Sequence, residues 1–118
     1  MMSSEGNKGN AEAIVRRFFM AENSRNWTSY RSFLHPEVEW TIFGRPHRRT
    51  VFGVEDYVAV MQRAYAESTA TFQVVALVAD DARQLVMAEL EAEGSRSVDI
   101  FELKDGLIWR EREYYEQP

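Results

Sequence analysis

The sequence predicts an α+β fold in which three helices pack on one face of a curved antiparallel sheet. Two observations carry this prediction. Helical periodicity of apolar residues dominates up to about residue 66, interrupted by one strand, whereas after residue 71 short alternating segments follow one another between turn residues. The 118 residues are enough for one such domain and too few for two. Helices on one face of a curved sheet leave a conical cavity, where a small ligand would bind.

Three segments have the apolar spacing of amphipathic helices. The first spans about residues 11–22, with Asn10 as its N-cap, and follows a small polar leader over residues 1–9 that we expect to be flexible. The second spans about residues 27–34 and ends near a proline, which disfavours helical backbone in the residue before it. The third spans about residues 54–66.

The remaining segments alternate in the manner of strands. Val38, Trp40 and Ile42 share one face of the first strand, which is followed by a basic loop over residues 44–50. The pair Asp105-Gly106 is the strongest signal for a tight hairpin turn. We predict four further strands at about residues 71–79, 84–93, 97–104 and 107–115.

The composition argues against several classes of function. Acidic residues outnumber basic ones by 19 to 14, and a net charge of -5 disfavours binding to nucleic acid. Without cysteine the chain has no disulfide, thiol nucleophile or cysteine-bound zinc. No apolar run approaches the ~20 residues of a membrane span, and the polar start lacks a signal-peptide core. We therefore expect a cytoplasmic protein without a membrane partner.

Several local patterns together resemble one superfamily. They are AIVRRFFMAENSRNW in the first helix, FLHPEVEW before the first strand, the third helix after Gly53, and VDIFELKDGLIWREREYY near the end. In order and spacing they resemble the nuclear transport factor 2-like superfamily, and within it the SnoaL-like polyketide cyclases, ketosteroid isomerases and limonene-epoxide hydrolases. The resemblance implies one domain over residues 10–118 with a cystatin-like cone.

The ketosteroid isomerase site is only partly present. By this resemblance the oxyanion-hole tyrosine falls on Phe18, and the general-base aspartate falls near Ile42, or on Thr41 if the register slips by one. Phe18 has no hydroxyl group to donate, and neither Ile42 nor Thr41 can accept a proton at neutral pH. The second oxyanion donor, a carboxylic acid kept protonated by an apolar site, falls on Asp99. Steroid isomerisation by that mechanism is therefore disfavoured.

The epoxide hydrolase site is also incomplete. The resemblance places its last carboxylate on Glu113, within Arg-Glu-Tyr at residues 112–114. Its arginine and other aspartate belong on the strand at 84–93, where a shifted register offers Glu89 and Glu91 but no arginine. Epoxide opening needs both a base and an acid, so this activity is the less favoured alternative. The expected inward residues of that strand are Val86, Ala88, Leu90 and Ala92.

Asp99 and Glu113 are the leading catalytic candidates. Asp99 shares a strand face with the core residues Phe101 and Leu103 and with no basic residue, so burial should raise its pKa. It could then act as general acid, general base or neutral donor, or it could be a structural acid. Glu113 could lie across the cavity as the second carboxylate of a pair, or form a cross-strand ion pair with an arginine.

Other residues are expected to bind the substrate. Tyr30 could donate its hydroxyl to a substrate oxygen, and Trp40 could stack against a ring, although both could equally be core residues. His47 lies among arginines in the basic loop, which is either a cationic lip of the cavity or a solvated loop. His35 and His47 do not form a metal site, and we expect no metal and no cofactor. The remaining expected contacts are Phe18, Ile42 and Phe101.

These residues support two functions. The first is a SnoaL-like enzyme, an isomerase, cyclase or hydrolase, that performs cofactor-independent acid/base chemistry on a small apolar or carbonyl-containing substrate. The second is a module that only binds a ligand or another protein. The last strands carry apolar or aromatic residues on both faces, with Ile100 opposite in face to Phe101, and Ile108 and Tyr114 opposite in face to Trp109 and Tyr115. They therefore predict a homodimer through the outer face of the sheet, because a large wet apolar patch is avoided by monomers.

Overall fold

A computed structural model describes residues 10–44 and 47–116. The predicted leader at 1–9 and Arg45 of the predicted basic loop lie outside the described residues. The described part is an α+β domain, as predicted. Its elements in chain order are α1 (Ala11–Asn23), α2 (Trp27–Ser32), β1 (Leu34–Phe43), β2 (Arg49–Phe52), α3 (Val54–Ala64), β3 (Gln73–Asp80), β4 (Leu85–Ala92), β5 (Ser95–Lys104) and β6 (Leu107–Tyr115).

The six strands form one curved, unclosed sheet in the order β2-β1-β6-β5-β4-β3. Strands β1 and β6 are parallel neighbours, and the other neighbours are antiparallel. The three helices pack on one face, and the core between them and the sheet is strongly aromatic. Phe18 of α1 lies at its centre, stacked on Tyr30 at 4.2 Å between ring centroids and edge-on to Phe101 at 6.0 Å.

The first half differs from the sequence prediction at three points. Helix α2 ends at Ser32, so β1 begins at Leu34 rather than Val38 and includes Pro36. The predicted loop at 44–50 gives way to β2, which pairs with β1. This strand has only four residues, three of them exposed, so alternation could not reveal it. Asn10 precedes α1 but makes no capping side-chain bond; the Ala11 amide instead donates to Asp81 Oδ1 at 3.2 Å.

A β-bulge in β6 changes which side chains face the helices. Leu103 pairs with Ile108 and Glu102 pairs with Arg110, which leaves Trp109 as an extra residue. Ile108 is therefore fully buried and Glu111 is the next inward residue, whereas Trp109 lies beneath Lys104 and Arg110. Strict alternation along the sequence would place Trp109 on the face of Glu111 and Glu113, and the bulge removes it from that face.

The hairpin turns follow their predicted chemistry. Asp105 and Gly106, which join β5 to β6, both have positive φ, at 55° and 76°. Two positive φ angles are what a tight type I′ turn requires. The turn sets Lys104 opposite Leu107, and the bulge at Trp109 shifts the register of the pairs beyond it.

Among the described residues, no helix combines the length and apolar character needed to cross a bilayer.

Candidate active site

A cavity of about 400 Å³ lies between the helices and the inner face of the sheet. Its size is typical of a site for a small molecule. Among its described lining residues, aromatic side chains and carboxyl groups dominate. The aromatic ones are Phe18, Phe19, Tyr30, Trp40, Tyr57, Tyr65, Phe72 and Tyr115, and the innermost carboxyl groups belong to Glu22, Asp99, Glu111 and Glu113.

Asp99 is a buried acid on the sheet wall of this cavity. Strand β5 places it opposite Ala88 on β4 and Glu113 on β6, and its side chain is only 4% exposed. Among the described residues its Oδ1 has no hydrogen-bond partner. Burial raises the pKa of Asp99 well above its usual range, and the nearby Glu113 and Glu111 raise it further. This is the direction that the sequence predicted.

Glu111 and Glu113 are the inward residues of β6 beside Asp99. Oxygen atoms of the three carboxyl groups all lie within 4.8 Å of one another. Tyr57 donates a hydrogen bond to Glu111, and Trp40 Nε1 donates to Glu113 Oε1 at 2.9 Å. Burial raises the pKa of both glutamates, whereas these donors lower it. Glu113 has a second donor in Tyr115, so it is the member of the three that ionises most readily.

Glu22 forms a second carboxylate centre on the helical wall. Its Oε1 accepts from Tyr30 at 3.0 Å and its Oε2 accepts from Tyr65 at 2.6 Å. Burial raises the pKa of Glu22 to about 7, although the two tyrosines oppose this. Burial also raises the pKa of Tyr30 well above its usual range, and Glu22 adds to that effect. The Tyr30 hydroxyl is thus already engaged, and it holds Glu22 rather than standing free for a substrate.

The structure brings most of the predicted site residues together. Asp99, Glu113, Tyr30, Trp40, Phe18 and Ile42 all line the cavity. Glu113 is the direct cross-strand neighbour of Asp99, so the two lie on one wall of the cavity. This differs from the prediction, which placed them on opposite sides of the cavity. The alternative ion pair of Glu113 with an arginine is not formed among the described residues, because its partners are Trp40 and Tyr115.

Two predicted contacts lie elsewhere. Phe101 is fully buried beneath the cavity, in edge-on contact with Phe18 and Phe19, so it supports the wall without lining it. His47 is exposed and is not among the described lining residues. Its loop joins β1 to β2 at the sheet edge, which keeps it away from the inner face.

Four site residues were missed by sequence reasoning: Glu22, Tyr57, Tyr65 and Glu111. For Glu22 the signal was present, because it lies four residues after Phe18 and seven after Val15, on the same buried stripe of α1. Tyr57 lies on the apolar stripe of α3, which by itself indicates only a core residue. Glu111 shares a strand face with Glu113, but its role depends on its contact with Tyr57, which the sequence does not reveal.

The arrangement suits proton transfer in an apolar enclosure. A protonated Asp99 can donate a hydrogen bond, and an ionised Glu113 can accept a proton, between aromatic walls. The three clustered oxygens also have a spacing that a hard metal ion could use, whereas no metal was expected from the sequence. The lining holds no histidine among the described residues.

Comparisons with known proteins agree with this architecture. Among curated proteins the sequence has no significant match. The structure is similar to a protein of unknown function with a cystatin-like fold from Methylobium petroleophilum PM1, with a TM-score of 0.78, 18% identity, and coverage of 92% of this chain and 76% of that one.

Two further solved structures are similar. One is a proposed ketosteroid isomerase from Kribbella flavida DSM 17836, with a TM-score of 0.71, 23% identity, and coverage of 92% and 78%. The other is a proposed polyketide cyclase from Xanthomonas campestris pv. campestris, with a TM-score of 0.76, 21% identity, and 93% of both chains covered. At these identities the likeness shows the fold. The sequence profile of the SnoaL-like domain matches residues 15–111, and the chain therefore belongs to the SnoaL-like domain family.

Proposed function

We propose that this protein is a cofactor-independent enzyme that transfers protons on a small, largely apolar substrate held in the cone cavity. The observation that carries the proposal is Asp99, a buried carboxyl group with an unpartnered oxygen that lines the cavity. Burying an acid is costly unless it is neutral or paired, so such groups are concentrated at functional sites.

The neighbours of Asp99 and Glu113 assign their roles. No hydrogen-bond donor offsets the raised pKa of Asp99, so this carboxyl stays protonated and donates to a substrate oxygen. Two donors, Trp40 and Tyr115, offset the raised pKa of Glu113, so this carboxylate ionises first and takes the proton. The isomerase and cyclase descriptions of two similar structures support isomerisation or cyclisation of a carbonyl compound as the reaction class.

The test is exchange of the acidic protons of a simple ketone. Exchange of the α-protons of 2-tetralone in D2O, followed by NMR, reports acid/base catalysis without a cofactor. We expect the protein to accelerate this exchange and Asp99→Asn to slow it by about 10²-fold or more. The control Glu102→Gln, on the opposite face of β5, should leave it unchanged. Exchange no faster than in buffer contradicts the enzyme and favours a ligand-binding module.

The charge state of Asp99 can be tested separately. The carboxyl carbon shift of Asp99, followed by NMR between pH 3 and 8, should show a midpoint well above the unperturbed ~3.9. A midpoint near 4 or below would show an ionised, paired carboxylate, and the donor role of Asp99 would have to be abandoned.

We also propose a homodimer through the outer face of the sheet. Val78, Met87 and Ile100 are cross-strand neighbours there, and Val78 and Met87 are 65% and 42% exposed. Ile108, which the sequence analysis counted toward this surface, is buried in the core instead. Sedimentation at micromolar concentration should give twice the monomer mass, and Met87→Glu should halve it. A monomer at that concentration contradicts the proposal.

A further inference from the structure

The inner part of the cavity has an excess of acidic groups. Glu22, Asp99, Glu111 and Glu113 converge there, and Glu93 adds an exposed carboxylate at the mouth. Four carboxyl groups in one small enclosure repel one another when ionised, which is why Glu113 raises the pKa of both Asp99 and Glu111.

Among the described residues neither nearby arginine forms an ion pair with these acids, although Arg25 is, as the smallest of the causes, one that lowers the pKa of Glu22. Arg96 lines the mouth but is exposed and forms ion pairs with Glu89 at 2.5 Å and Glu91 at 3.8 Å. Arg25 lies with its guanidinium 3.9 Å from the centre of the Tyr65 ring. Its Nη2 donates to the Ser68 and Ala70 carbonyl oxygens at 2.9 and 2.7 Å.

The acids also have unused hydrogen-bonding capacity. Asp99 Oδ1 is buried without a partner among the described residues. Tyr57 bonds only Oε1 of Glu111, whereas Glu113 has Trp40 at its Oε1 and Tyr115 as a second donor. A carboxylate can accept several hydrogen bonds, so this wall is short of donors. A ligand that brings donors and positive charge would satisfy it.

The remaining walls are aromatic. Trp40 and Tyr57 stack at 4.5 Å between centroids beside the acids, and Tyr30 and Phe18 stack at 4.2 Å on the helical side. Aromatic rings attract cations through their electron-rich faces and hold apolar groups by burial. Carboxylates next to aromatic walls are the surroundings in which proteins bind organic ammonium groups.

We propose that the ligand of this cavity is an organic cation, with one ammonium group directed at the Asp99, Glu111 and Glu113 carboxyls and a small apolar body against the aromatic walls. The inference rests on the proposed function in placing the ligand in the cone cavity, and it adds a cationic group to that largely apolar ligand. A positive charge beside Asp99 and Glu111 lowers their pKa values, so these acids ionise when the cation is bound. It does not require that the ligand be turned over.

The size and lining of the cavity favour an organic cation over a metal ion. A metal ion would use the three clustered oxygens and leave most of the 400 Å³ to water. The aromatic lining would then have no apolar partner. An aryl-alkyl ammonium compound fills the volume, supplies up to three donors, and covers the rings.

Calorimetric binding at pH 8 tests the charge requirement with matched probes. The probes are 2-phenylethylammonium and its neutral analogue 2-phenylethanol, with MnCl2 and MgCl2 titrated alone. We expect the ammonium probe to bind at least tenfold more tightly than the alcohol, since hydrogen bonds to charged groups are the stronger ones. Asp99→Asn and Glu111→Gln should each remove most of this preference, measured as the ratio of the two affinities. Glu102→Gln, which removes one charge from the outer face, should preserve it.

Each contrary result has a defined meaning. Equal or tighter binding of the alcohol overturns the ammonium ligand but leaves the proposed enzyme intact. Manganese binding that displaces the ammonium probe replaces it with a metal site, and failure of both organic probes to bind overturns it outright. Ammonium binding without ketone proton exchange would instead support the inference and contradict the proposed function. If Asp99→Asn does not fold, Glu111→Gln decides the charge requirement.

Discussion

The two faces of strands β5 and β6 carry the same kinds of residue in opposite circumstances. On the outer face, Arg112 pairs with Glu102 at 2.6 Å, and Arg110 lies 3.7 Å from Glu39. On the inner face, Asp99, Glu111 and Glu113 meet with no basic partner among the described residues. Alternation along Arg-Glu-Arg-Glu at residues 110–113 sends every arginine outward and every glutamate inward.

This comparison shows that the effect of a charged residue in a strand depends on which face of the sheet it occupies. Outer glutamates are neutralised by arginines in water, where such pairs contribute little to stability. Inner glutamates are desolvated, and their pKa values rise because burial penalises the charged form. Glutamate therefore forms solvated ion pairs on the outer face, whereas on the inner face it determines the acidity of the cavity.

The largest effect should come from the apolar support of the inner face. Phe101→Ala removes a fully buried ring that contacts Phe18 and Phe19 beneath the cavity. We expect the free energy of unfolding in urea to fall by about 3–5 kcal/mol. A loss below about 1 kcal/mol would mean that the inner face is not the tightly packed one.

The next effect is a pH dependence of stability that originates in Glu22. Its pKa is about 7 in the folded chain and 4.5 ordinarily, so the folded state binds the extra proton between these values. The contribution of Glu22 to the free energy of unfolding is complete below about pH 4.5 and is lost as the pH rises through 7. The loss is roughly 3 kcal/mol for this group.

Urea unfolding at pH 5 and pH 8 measures this loss. Glu22→Gln should remove a large part of it, whereas the exposed-face control Glu102→Gln should not. An unchanged pH dependence in Glu22→Gln would show that Glu22 is ionised at both pH values.

A smaller effect concerns the donor to Glu113. Trp40→Phe keeps an aromatic ring beside Tyr57 but removes the indole N–H that bonds Glu113 Oε1. The pKa of Glu113 should rise further, because the carboxylate loses one of the two donors that lower it. NMR titration of the Glu113 carboxyl carbon checks this, and a fall in its pKa would contradict the assignment of Trp40 as its donor.

The smallest effect belongs to the outer ion pairs. A double-mutant cycle with Glu102→Gln and Arg112→Met should give a coupling of about 0.2–1 kcal/mol, because both side chains are more than a third exposed. It should shrink further in 1 M salt. A coupling of several kcal/mol would remove the contrast between the faces.

Sequence periodicity was sufficient for the helices and for the meander. The inward positions of β4 are as predicted, with Val86, Ala88 and Leu90 buried, because that strand alternates without interruption. It was insufficient for β2, a four-residue strand with only Val51 buried, which forms by pairing with β1. Tertiary pairing of that kind leaves no local pattern.

The site was predictable where a buried face was regular. Asp99 sits between Ser97 and Phe101 on an uninterrupted strand, so its burial and raised pKa followed from its neighbours. Alternation also places Glu111 on the face of Glu113, but its role depends on its hydrogen bond from Tyr57 of α3, which no spacing in the sequence encodes. The meeting of Glu22 with Tyr65 requires helix α1 and the chain after α3 to converge, which no spacing in the sequence encodes.

The bulge at Trp109 determines the sign of the charge inside the protein. Ile108 is anchored in the core, and its amide donates to the Phe33 carbonyl oxygen at 2.8 Å. Were β6 regular beyond Ile108, a one-residue change of phase would turn Arg110 and Arg112 toward the helices and the glutamates to water. The enclosure would then attract anions. A related chain could thus reverse the charge preference of its cavity by losing the bulge, with residues 110–113 themselves unchanged.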